Sequence, residues 1–127
     1  MKSFVALTLV LLALNNAYAE DINVKLACKG TTWVDGKTAE NNQGFISIAN
    51  GMVTISGMLT ADGLYKVQMS SLREDSIDFK SMSNKLLHGS INRITGEAVV
   101  FENDKNQPTK SSQALFLGIC NKAKKLF

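Results

Sequence analysis

The chain has 127 residues, with 14 Lys and Arg against 11 Asp and Glu, a formal net charge of +3, two cysteines and one histidine. That length is one domain's worth, and a charge this near balance gives no argument for a nucleic-acid partner. The cysteines form no CxxC and cannot assemble a His/Cys metal motif around a lone histidine, so neither a metal nor another cofactor is expected.

Met1-Lys2 is a short basic start, and residues 4–14 form an apolar run too short to cross a bilayer as a helix. Ala17-Tyr18-Ala19 then supplies the small residues that signal peptidase needs. The reading is a signal peptide over residues 1–19, cleaved between Ala19 and Glu20, and a single β domain over 20–127. No cysteine sits at the cleavage point, so no lipid anchor is expected. The address is periplasmic or secreted, and the domain is not an integral membrane protein.

Residues 23–34 open with Val24, Leu26 and Cys28 on one face and Asn23, Lys25, Ala27 and Lys29 on the other, the period of a half-buried strand. Asp35-Gly36 is a turn signal, and residues 37–44 are polar, a loop or a weak edge strand. Asn50-Gly51 closes a hairpin through a two-residue type I′ turn, pairing Ile48 with Val53 and Ile46 with Ile55. Asp62-Gly63 repeats the device and places Thr60 opposite Tyr65 and Met58 opposite Val67. Residues 71–75 read as a loop. Residues 76–81 read as a strand with Ile77 and Phe79 on one side, and Ser83-Asn84 is a candidate turn after it.

Residues 88–101 make the clearest local statement. Ile94-Thr95-Gly96 fits a three-residue hairpin loop with Gly96 in the left-handed region, pairing Arg93 with Glu97, Asn92 with Ala98 and Ile91 with Val99. Residues 102–110 hold the only proline, Pro108, and are the most loop-like segment. The last strand runs over residues 111–120, with Leu115, Leu117 and Ile119 alternating against Phe116. The basic tail from Asn121 is the only helical candidate, and its Leu126-Phe127 end could tuck against the fold or dock to an acidic partner or surface.

Gly51, Gly63 and Gly96 are thus the turn-defining glycines. The class is all-β: a small antiparallel barrel, or a sandwich, of about eight short strands joined mostly by up-and-down hairpins. In an oxidising compartment Cys28 and Cys120 suggest one disulfide. It would place the first strand beside the last, closing a loop of about 90 residues worth roughly 4–5 kcal/mol in the chain-entropy model.

Little in the chain speaks for catalysis. His88 has Ser90 and Asp78 as its nearest candidate companions, but spacing alone does not make a triad. There is no HExxH, no Gly-rich phosphate loop and no nucleophile elbow, and no catalytic residue is assigned. Trp33, Phe45, Tyr65, Phe79, Phe101 and Phe116 are spread over the strands; they fill a core, or line a cavity for an apolar ligand.

Leu26-Ala27-Cys28-Lys29-Gly30-Thr31, Asn92-Arg93-Ile94-Thr95-Gly96 and the ending Cys120, Lys122, Lys124, Lys125-Leu126-Phe127 together resemble a group of small uncharacterised exported proteins of alphaproteobacteria. The resemblance implies a periplasmic address and carries no activity or site residues. In size and cysteine usage the chain also resembles the small periplasmic lysozyme inhibitors, but it lacks their Ser-Gly-x-x-Tyr loop. The expected function is non-enzymatic binding: an interaction or inhibitor protein working through residues 102–110, with carriage of a small apolar ligand inside the barrel as the alternative and a hydrolytic enzyme ranked behind both.

Overall fold

The computed structural model describes residues 22–68, 75–107 and 111–123. Eight strands follow one another through these residues: β1 (Val24–Val34), β2 (Lys37–Ala49), β3 (Met52–Ser56), β4 (Gly63–Val67), β5 (Ser76–Ser81), β6 (Leu87–Asn92), β7 (Glu97–Asn103) and β8 (Ser111–Lys122). Each pairs antiparallel with the next, and β8 returns to β1, so the sheet is a closed up-and-down barrel. No α-helix occurs among the described residues; a 3₁₀ turn at Leu59–Ala61 is the one departure from strand and loop. Barrel rather than sandwich follows from the β1–β8 ladder, which runs from Leu26↔Lys122 to Thr32↔Phe116.

The Cys28–Cys120 disulfide sits within that ladder, on directly opposed residues. Both cysteines are buried, so their side chains point into the barrel. Strand alternation then sends Gly118 and Phe116 inward as well, and turns Leu117 and Ile119 out to solvent. The alternation read along residues 115–119 is real, but its core member is Phe116. Leu115 is buried too, because a register shift beside Val100/Phe101 interrupts the alternation there.

The Asn50-Gly51 hairpin has the expected register, Ile46↔Ile55, Ser47↔Thr54 and Ile48↔Val53. Asn50 at φ 53° and Gly51 at φ 75° are the two left-handed residues that a type I′ turn needs. Asp35 and Gly36, at φ 52° and 77°, make the same turn between β1 and β2. Residues 37–44, expected as loop or weak edge strand, are the first half of β2; β3 pairs only with the second half, from Phe45 to Ala49.

Other expectations are corrected. Asp62-Gly63 is not a hairpin turn, and residues 57–61 are not a strand. The Asp62 carboxylate accepts the main-chain N–H of Gly57 at 3.2 Å and that of Met58, folding residues 57–62 into a compact loop. Gly63 instead begins β4, where Tyr65 opposes Val53 and Ser81, and Val67 opposes Phe79.

The β6–β7 hairpin is one residue out of the expected register: Ile91 opposes Ala98, and Ser90 opposes Val99. Asn92 is the cause. Its Oδ1 accepts the N–H groups of Ile94 and Thr95 at 2.9 and 3.0 Å, and its carbonyl accepts Gly96 N–H at 2.9 Å. That Asx turn draws Arg93 into the loop and lengthens it to four residues. Gly96 is left-handed as expected, at φ 81°.

At the chain end, Asn121 and Lys122 continue β8 opposite Ala27 and Leu26 instead of starting a helix. The segment expected as loop from residue 102 begins later, since Glu102 and Asn103 still belong to β7. The expected leader with its Ala19/Glu20 junction, most of the loop expected over residues 71–75, Pro108 and the Leu126-Phe127 end lie outside the described residues.

The middle of the barrel is packed solid. Tyr65, Phe79 and Phe116 are buried with Ile46, Val53, Ile55 and Val100. Tyr65 and Phe79 meet edge to face, their ring centroids 5.2 Å apart. Gly89 makes room for the Phe79 ring, with which a Cβ would collide. Trp33 and Phe101 are half-buried on the outer surface, and Phe45 is exposed with Lys25 Nζ 5.1 Å above its ring. The six aromatics therefore do not line one interior cavity; three fill the core and three face out.

Candidate functional site

The two ends of the barrel differ. At one end the 57–62 loop folds across the opening. Met58 and Ala61 are fully buried there, and the 3₁₀ turn touches β1, β3 and β8. Met58 lies over Gly44, where a Cβ would occupy the same space as its side chain. Tyr65 Oη donates to the Ala61 carbonyl at 2.6 Å, fastening the loop to β4 from beneath. Burial, helped by the nearby Asp62 carboxylate, pushes the Tyr65 hydroxyl up to about 12.

The opposite end, where β1 begins and β8 ends, is a half-open hollow of about 390 Å³. Its walls are Ile22 just before the first strand, Val24 and Leu26 from β1, Ile48 from β2, Ile77 from β5 and Ile91 from β6. The five strand residues are inward positions of period-two strands, which is why they converge. Ile48, Ile77 and Ile91 belong to the core and form the deep part; Ile22, Val24 and Leu26 are only partly buried.

The rim is the β6–β7 loop, residues 93–96, with Cys120, Asn121 and Lys122 of β8. This rim is held firmly. Besides the Asn92 bonds, Arg93 N–H donates to the Asp75 carbonyl at 2.7 Å, and Cys120 N–H donates to the Gly96 carbonyl at 2.7 Å. Ile94 stands at the loop tip, 80% exposed, as an apolar lip beside the hollow. Hollows of about 300–1,000 Å³ with apolar walls and a few polar groups are the common form of small-molecule sites.

A second hollow, about 400 Å³, lies on the outer face of β5 and β6 and brings Asp78, His88 and Ser90 to one surface with Lys80 and Phe101. The ring of His88 points its Nε2 at Asn103 Oδ1, 2.8 Å away, and tilts against Phe101 at 5.7 Å. No group of three His, Cys, Asp or Glu able to hold a metal occurs among the described residues.

Of the residues singled out in the sequence, Cys28 and Cys120 are bridged, Gly51 sits at a hairpin tip, and Gly96 stands on the rim of the open hollow. The aliphatic wall was missed. Its signal lay in the inward positions Val24, Leu26, Ile48, Ile77 and Ile91, which become one site only once the strand ends are known to meet.

Fold and hollow together define a small eight-stranded up-and-down barrel, stoppered at one end and open at the other. Comparison with protein-family models, with curated proteins and with solved structures found no match to this chain.

Proposed function

We propose that this protein is an exported, non-enzymatic binding protein that takes a small apolar ligand in the open mouth of its barrel. The observation that carries the reading is the convergence of six branched aliphatic side chains on a half-open hollow of about 390 Å³. An eight-stranded barrel is just wide enough to be filled by its own side chains or to hold one small molecule. Here the stoppered end and the middle are filled and the other end is not. The site is therefore aliphatic and peripheral, not the aromatic-lined interior that the sequence suggested as the alternative. Export is supported by the leader-like residues 1–19 and by the buried disulfide, which persists in oxidising compartments.

The test is titration of the purified protein with 1-anilinonaphthalene-8-sulfonate and with saturated fatty acids of graded length. Saturable one-to-one binding is expected, weakened by Ile94→Asp at the exposed lip and by Val24→Asn in the wall. An absence of saturable binding, or equal binding by both variants and the wild type, would overturn the reading.

A second reading is a protein-interaction or inhibitor role for the loop after β7, supported by the exposed Lys105, Asn106 and Gln107. It predicts that shortening this loop removes a partner captured from periplasmic extract while ligand titration is unchanged. An unaltered set of captured proteins would sink it.

A further inference from the structure

On the outer surface, Lys25, Thr54, Lys66 and Lys80 are exposed on β1, β3, β4 and β5, and β2 and β4 each carry a single exposed large apolar residue, Phe45 and Leu64. β8 is different. Leu117 and Ile119 are 54% and 52% exposed, and they lie beside the half-buried Val99 and Phe101 of β7. Neither packing nor turn chemistry requires two large aliphatic residues there, and a contiguous exposed apolar stripe marks an interaction surface.

The strand registers say what such a surface fits. Ile119 is opposed by Glu97 on one side and by Lys29 on the other, so a carboxylate, an isoleucine and an ammonium form one row across β7, β8 and β1. Both charged residues are exposed. The next row is Val99, Leu117 and Thr31. Further along, Ala114 is opposed by Phe101 and shares a surface hollow with Trp33 on the β1 side.

We propose that this face binds the same face of a second copy of the chain, with the two-fold axis running along β8. Rotation about that axis exchanges the β7 side with the β1 side. It sets Glu97 of each copy over Lys29 of the other and Phe101 of each over Trp33 of the other, while Leu117 and Ile119 of both copies meet at the centre. The patch is thus complementary to itself, as an isologous interface must be. An axis across the strands would instead oppose Glu97 to Glu97 and Lys29 to Lys29. Aligned sheet faces pack about 10 Å apart, a gap that leucine and isoleucine from both sides fill.

The test is sedimentation velocity of the disulfide-bonded protein, expressed with its own leader, over protein concentrations from about 1 to about 200 µM. The wild type is expected to pass from monomer to dimer across this range. Leu117→Asp with Ile119→Asp is expected to remain monomeric with an unchanged thermal melt. Lys29→Glu alone and Glu97→Lys alone are each expected to weaken the dimer about tenfold, and the two together to restore it.

A wild type that stays monomeric throughout, a dimer that survives the Leu117/Ile119 substitutions, or a charge exchange that fails to restore association would each overturn the proposal. The surface exchange of Lys29 and Glu97 keeps the test decisive even if the double aspartate variant does not fold. Ligand titration of the wild type at about 1 µM, where the protein is expected as monomer, reads the barrel mouth separately.

Discussion

Gly96 and Cys120 are joined through their main chains. The Cys120 N–H donates to the Gly96 carbonyl at 2.7 Å, tying the turn between β6 and β7 to the strand that carries the disulfide. A Cβ on Gly96 would collide with the Cys120 carbonyl oxygen, and the glycine is left-handed at φ 81°. Gly51, at φ 75°, has the same backbone need but nothing within 4 Å of an added Cβ. Gly51→Ala is therefore expected to cost about 1 kcal/mol, the backbone term alone. Gly96→Ala adds a clash with backbone and should cost about 2–4 kcal/mol. Urea denaturation of the two variants side by side checks the difference.

The disulfide links residues 92 apart in sequence. Reduction should lower unfolding free energy by up to about 4–5 kcal/mol, the chain-entropy ceiling for so long a loop. Paired urea transitions with and without a reductant measure it. An unchanged midpoint would mean that the β1–β8 ladder needs no covalent support.

Tyr65 gives the alkaline limb of stability a named source. Its pKa rises from 10.0 to about 12 on folding, so the folded protein holds the phenolic proton more tightly than the unfolded chain. The stability this brings is complete below pH 10 and is lost as the pH climbs toward 12. Tyr65→Phe should remove that limb. It should also cost about 1–3 kcal/mol at neutral pH, because the buried Ala61 carbonyl loses its donor. Thermal melts from pH 7 to 11 of both proteins compare the slopes.

Met58 closes the stoppered end with a fully buried side chain. Met58→Ala should cost about 2–5 kcal/mol by leaving a cavity, and Met58→Leu less than about 1.5 kcal/mol. Calorimetry on the pair reads the contrast. Ligand binding at the far mouth is expected to survive Met58→Leu.

The sequence states some of this fold outright. Alternating apolar residues on either side of Asn50-Gly51 determine the β2–β3 register without help from the rest of the chain. At Asn92 the signal was present but subtler, since a side chain that caps two N–H groups adds a residue to the loop and shifts the ladder by one. Asp-Gly means different things at its two positions. Residues 35–36 form a two-residue turn, whereas Asp62 bonds backward to Gly57 and Met58 because Met58 and Ala61 are drawn into the end of the barrel.

The outward stripe on β8 was legible in principle. A buried disulfide fixes Cys120 as inward, which sends Leu117 and Ile119 out by parity alone. The aliphatic mouth was not legible in the same way, for its walls come from strands as far apart in sequence as Val24 and Ile91.

Closure through β1 and β8 also orders events during biosynthesis. The strand made first finds its second neighbour only when the strand made last is complete, so hairpins such as β2–β3 can form early while the ring stays open. Until residues 111–122 are available, one flank of β1 exposes unpaired main-chain donors and acceptors, and a chain cut short before that point keeps an open edge able to recruit other strands. Truncation near the C-terminus is therefore expected to favour aggregation over a smaller but intact fold.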